Sequence, residues 1–148
     1  MIHQFYQSII VVNDMEKSLY FYRDLLGFKI QVDQLMEGEE INSIMGRPNT
    51  KVRLVLLQVG EQKTGLVGLA SFLSPKEDKV EKNRSALFSH ALVFVSDDIE
   101  EVYNRLLEAG EKPICEPVSL TNPRGGVVKI FTCLDPNGLL VEFNQFVP

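Results

Sequence analysis

Five side chains have types that chemistry uses, and their settings differ. Glu142 lies inside the strand-like run Leu139–Phe146, between Val141 and Phe143. A carboxylate in an otherwise apolar run faces a polar cleft, finds a partner, or stands bare on an edge. His90 opens the run Ala91–Val95, where a lone histidine ordinarily serves as a hydrogen-bonded structural residue. Arg124 sits in the loop Asn122-Pro123-Arg124-Gly125-Gly126. A guanidinium there can clamp an anion or simply remain solvated. Cys115 and Cys133 belong to no Cys-x-x-Cys or Cys/His cluster, so they read as two reduced thiols rather than a disulfide framework or a zinc ribbon.

The elements that must position these residues repeat. QSIIVVND from Gln7 is followed by MEKSLYFYRDLLG, and HALVFVSD from His90 is followed by DIEEVYNRLLEAG. Gln7 and His90, Asp14 and Asp97, and Gly27 and Gly110 are each 83 positions apart, an ungapped match over 21 residues. Ser8–Val12 and Ala91–Val95 are rich in β-branched residues and predict strands. Asp14 and Asp97 suit helix N-caps. Leu19, Tyr22, Leu25 and Leu26 form one amphipathic stripe, and Ile99, Val102, Leu106 and Ala109 another; Tyr20, Phe21 and Tyr22 read as packing. Gly27 and Gly110 stand where helices end. Further strands are expected at 28–33, 52–59, 66–72, 127–133 and 139–146, with a weaker one near 114–118. Turns fall at 60–65 and 135–138, and Met36–Asn49 reads as a loop with one helical turn at Glu39–Met45.

Each half is thus a β-α-β-β-β unit in an α+β fold. The expected layout is module 1 over about 1–73, a charged linker over about 74–85 (SPKEDKVEKNRS), and module 2 over about 86–148. Two such sheets in one chain can curl around a shared cleft, and concave surfaces are default ligand sites. The chain has 148 residues, 45% of them hydrophobic, and a formal net charge of −5. This suits one ordinary domain with no need of a metal or disulfide to fold. The absence of a basic stripe argues against nucleic acid and anionic membrane as partners. No apolar run approaches a membrane span, and the N-terminus lacks a secretory pattern. The expectation is a cytoplasmic protein.

VVNDMEKSLYFYRDLLGF, HALVFVSDDIEEVYNRLLEAG and DPNGLLVEF occur here in order. With these segments the chain resembles the vicinal oxygen chelate superfamily, which contains glyoxalase I, bleomycin-resistance proteins, fosfomycin-resistance enzymes and extradiol dioxygenases. In metal-dependent members, ligands come from the first strand of each unit, seven residues before the aspartate, and from the last strand. The resemblance therefore implies Gln7, His90 and Glu142 as metal ligands, with Glu142 also catalytic. Gly68 stands where the first unit would carry its carboxylate. The implied cofactor is a divalent ion such as zinc, nickel, manganese or iron. Such an ion binds adjacent substrate oxygens and stabilises the charge that develops on them. Two function classes remain open. One is a metal-dependent lyase, isomerase or dioxygenase acting on a small oxygenated molecule; glyoxalase I activity is not expected, because Gly68 removes a carboxylate. The other is a metal-free binder that sequesters a small molecule or drug, as bleomycin-resistance proteins do. A homodimer is expected.

Overall fold

The structure, a computed structural model, describes residues 1, 4–76 and 90–148. The chain divides into two compact units, Met1–Val80 and Glu81–Pro148. The boundary falls within the charged 74–85 segment, of which residues 77–85 lie outside the described residues.

Unit 1 is a four-stranded sheet in the order β1-β4-β3-β2, formed by β1 (Gln7–Val11), β2 (Lys29–Glu37), β3 (Lys51–Gln58) and β4 (Leu66–Ser74). β1 runs parallel to β4, and the other pairings are antiparallel. One face packs under the helix that follows β1. This helix begins as α1 (Met15–Leu19) and continues as a π-helical segment, Tyr20–Leu25. Its Leu19, Phe21, Tyr22 and Leu25 are buried, as are Val55, Leu57, Val67 and Leu69 of the sheet. Arg53 of β3 ties the assembly together, donating to both carboxylate oxygens of Asp33 on β2 and to Glu16 of α1. The other face carries a second apolar cluster. Val52, Leu54, Leu56, Leu66 and Ala70 form it, with Val32, Met36, Phe72 and Ile41 packed on it. Ile41 comes from α2 (Glu39–Met45), a full helix where the sequence suggested a single turn.

Unit 2 repeats the sheet with order β5-β8-β7-β6, formed by β5 (Ala91–Val95), β6 (Val118–Thr121), β7 (Val127–Leu134) and β8 (Leu140–Val147). Its helix is α3 (Ile99–Glu108). Tyr103 of α3 meets Phe131 edge to face at 5.3 Å, and Phe131 stacks on Phe143 at 4.8 Å. These rings, with Ile99, Leu106, Cys133 and Val141, make the buried side. The weak strand anticipated near 114–118 forms later, as β6, because Ile114 spends its N–H on Thr132 outside any ladder.

The repeat is not ungapped. The N-cap of α1 is Asp14, accepting from the Lys17 N–H, but the N-cap of α3 is Asp98, accepting from the Glu101 N–H. These caps are 84 positions apart, as are the strands Gln7–Val11 and Ala91–Val95. Gly27 and Gly110, both at positive φ, are 83 apart. The first helix therefore holds one more residue between cap and glycine. It absorbs that residue in the π segment, where the Leu26 N–H reaches back five residues to the Phe21 carbonyl; single-turn π segments are the usual way a helix carries an extra residue. The sequence match paired Asp14 with Asp97 because the insertion is silent once the two adjacent aspartates, Asp97 and Asp98, are both available to align. Exposure along the strands follows the corrected register. Ile9 and Val93 are each 53% exposed.

Candidate functional site

The register decides which residues occupy equivalent places. In unit 1, Ile9 of β1 lies beside Gly68 of β4, which lies beside Leu56 of β3. In unit 2, Val93 of β5 lies beside Glu142 of β8, which lies beside Thr132 of β7. Ile9 and Val93 are the third residues of their strands, so Gly68 and Glu142 are counterparts, in agreement with the alignment made from sequence. The backbone at Gly68 leaves little room. A Cβ there would meet the Ile9 Cγ1 at 3.0 Å, and the Leu56 Cδ2 and Ser8 carbonyl oxygen at 3.3 Å.

The first-strand positions come out differently. Gln7 is the first residue of β1 and pairs with Leu66. Its topological counterpart is Ala91, the first residue of β5, which pairs with Leu140. Counted from the N-cap aspartates, Gln7 and Ala91 are each seven positions back. His90 is exposed and lies one residue before β5. It is an odd step from Val93, the neighbour of Glu142, and strand alternation sends odd steps to opposite faces. The Gln7 side-chain Oε1 is buried with no hydrogen-bond partner among the described residues.

The face of the unit 2 sheet that carries Glu142 is apolar and open. Val93, Val95, Leu120 and Phe146 on it are exposed, whereas Glu142 and Asn144 are half-buried among them. The Asn144 Oδ1 is buried without a hydrogen-bond partner among the described residues. Among the described residues no three His, Cys, Asp or Glu side chains are gathered. Arg124 is exposed in its loop, where its N–H donates to Asn122. Burial pushes the Cys133 thiol up to about 12, so it is no nucleophile at neutral pH, and Cys115 is exposed. Sequence reasoning missed Ala91. The signal that reveals it is the length of each helix between its cap and its terminal glycine.

A family model matches residues 2–143, nearly the whole chain. The chain belongs to the Glyoxalase/Bleomycin resistance protein/Dioxygenase superfamily. Solved structures of similar fold span it from end to end. A glyoxalase family protein from Bacillus cereus matches at a TM-score of 0.84 and 20% identity, covering 100% of this chain and 97% of its own. A superfamily member from Sphaerobacter thermophilus matches at 0.63 and 21%, covering 97% and 98%. TnmS3, an antibiotic-binding protein from a Streptomyces species, matches at 0.63 and 21%, covering 99% and 98%. At these identities the likeness is one of fold. No curated protein matches the chain. No helix among the described residues is long and apolar enough to cross a membrane.

Proposed function

We propose that this superfamily member binds and holds a small molecule, and that it does so without a resident metal. The observation that carries the reading is Ala91. With the cap-to-strand register applied to both units, the four positions that bear ligands in metal-dependent relatives hold Gln7, Gly68, Ala91 and Glu142. Only two of these have a donor atom, and one is a neutral amide. A catalytic divalent site needs about three protein ligands, and a methyl group contributes none. The open apolar face around Glu142 supports the same reading, since ligand sites combine apolar walls with a few polar groups. Glu142 would supply an acceptor there.

The second reading is a metal-dependent lyase, isomerase or dioxygenase built on Gln7, His90 and Glu142. The Gln7 Oε1, buried without a hydrogen-bond partner among the described residues, favours it, because an amide oxygen with no donor facing it is free to ligate a cation. One experiment separates the two. The protein is purified without added ions, its metal content is measured, and nickel, zinc, manganese and iron(II) are titrated into it and into Glu142→Gln. Binding weaker than about 10 μM and indifferent to the substitution is expected. Stoichiometric tight metal that is lost in Glu142→Gln and His90→Ala, with turnover of the methylglyoxal–glutathione hemithioacetal or another oxygenated substrate, would establish the enzyme. In parallel, a panel of antibiotics is screened by calorimetry. Saturable binding that leaves the compound chemically unchanged is expected.

A further inference from the structure

Unit 1 contains a cavity of about 420 Å³ on the sheet face that carries Gln7 and Gly68, lined by Leu66 beside Gln7 and by Leu56 beside Gly68. That volume falls within the range of small-molecule sites, roughly 300–1,000 Å³. Its apolar floor is Val32, Leu56 and Leu66, on the sheet face opposite α1. Polar groups approach from the rim: Tyr6 ahead of β1, Gln31 and Gln58 on β2 and β3, and Gln62 and Lys63 from the turn joining β3 to β4.

Two details mark the rim as built rather than incidental. The β2–β3 register breaks between Ile30 and Val32, leaving Gln31 as the unpaired residue. Such bulges re-aim one side chain and recur beside functional sites. Here the bulge turns the Gln31 amide onto Gln58, whose Oε1 accepts from the Gln31 Nε2 at 2.7 Å. That bond leaves the Gln58 NH₂ and the Gln31 carbonyl oxygen for other partners. The second detail is charge. Among the described residues that line the cavity, Lys63 is the charged one. Glu61, two residues before it, is engaged elsewhere, by the Lys29 ammonium at 2.8 Å, which holds that carboxyl below its usual range. The chain is acidic overall, so the attraction for an anion is local to this rim.

We propose that this cavity takes a flat aromatic carboxylate, its ring on Val32, Leu56 and Leu66, its carboxylate at Lys63, and its polar substituents at Gln31, Gln58 and Tyr6. The proposal rests on the reading of the chain as a small-molecule binder and specifies the chemical class of one ligand.

The test uses 2-naphthoate and its neutral isostere 2-naphthamide, titrated into the full ¹⁵N-labelled chain and followed by amide chemical shifts. Naphthoate is expected to shift the resonances of Tyr6, Gln31, Gln58 and Lys63 saturably. It should bind about fivefold more tightly than naphthamide, a modest gain because Lys63 is solvent-exposed. Lys63→Gln should abolish the difference between the two probes, and Gln31→Ala should weaken both. Equal affinity for the two probes, a preference that survives Lys63→Gln, or no saturable shift in unit 1 would overturn the proposal. Shifts confined to the Glu142 face would overturn it while leaving the binder reading intact. Metal-dependent turnover with naphthoate still bound in unit 1 would do the reverse.

Discussion

Asp98 and Asp97 are adjacent, exposed and chemically identical, yet the structure predicts different consequences for removing them. The Asp98 carboxylate accepts from the Glu101 N–H at 3.0 Å and satisfies one of the orphan donors of α3. The Asp97 carboxylate makes no such bond; its backbone carbonyl accepts from the Gln145 Nε2 instead, and alanine keeps a carbonyl. Asp98→Ala should therefore cost about 1 kcal/mol, with a range of roughly 0.5–2, the usual effect of losing an aspartate cap. Asp97→Ala should stay within about 0.5 kcal/mol of the parent, as surface substitutions do. Asp98→Asn keeps the acceptor and should recover most of the loss; Glu100 and Glu101 already supply negative charge to the first turn. Taking a urea m-value of about 2 kcal/mol/M for a chain of this size, the Asp98→Ala midpoint should fall by about 0.5 M. Urea titration followed by far-ultraviolet circular dichroism reads this directly. If Asp97→Ala shifts the midpoint as much as Asp98→Ala, the cap is misplaced. His90 would then return to the position of Gln7, and the argument from Ala91 would fail with it.

Three other outcomes are expected. Gly68→Ala should cost about 1 kcal/mol and Gly68→Glu about 2–3 kcal/mol in urea unfolding, because the added Cβ is crowded by Ile9 and Leu56 and the glutamate adds charge beside Leu66 and Ala70; a neutral Gly68→Glu would show that this strand has room to spare. In the native protein a disulfide reagent at pH 8 should label Cys115 and spare Cys133, labelling both only after denaturation. Since the Cys133 thiol is raised from 9.0 to about 12 in the fold, its contribution is complete below pH 9 and is lost as pH climbs from there towards 12; equal labelling of both thiols in native protein would contradict the burial. Light scattering at micromolar concentration should report twice the 16.7 kDa chain mass, and a purely monomeric species would reject the expected homodimer.

Strands, helices and repeat were legible in the sequence because each rests on local rules. β-branched runs form strands, three- and four-residue apolar spacing forms helices, and Gly27 and Gly110 tolerate the left-handed backbone that ends them. The pairing of Gly68 with Glu142 was legible as well, because the hydrophobic pattern of the two last strands matches without a gap. The site was harder. One inserted residue moves every side chain of a strand to the opposite face, yet it leaves the composition and the apolar spacing of Ala91–Val95 untouched. Whether the insertion sits before the cap, as an ungapped match of Asp14 with Asp97 requires, or inside the first helix depends on which aspartate bonds to a backbone N–H and on whether Leu26 reaches back four residues or five. The first is set by packing of Ile99, Tyr103 and Leu106 of α3 on the unit 2 sheet, the second by packing of Phe21, Tyr22 and Leu25 on the unit 1 sheet, so only the tertiary structure decides them. The cavity in unit 1 is beyond sequence for the same reason. Tyr6, Gln31, Gln58 and Lys63 come from separate segments, and their convergence depends on sheet register and on a bulge that no local pattern announces.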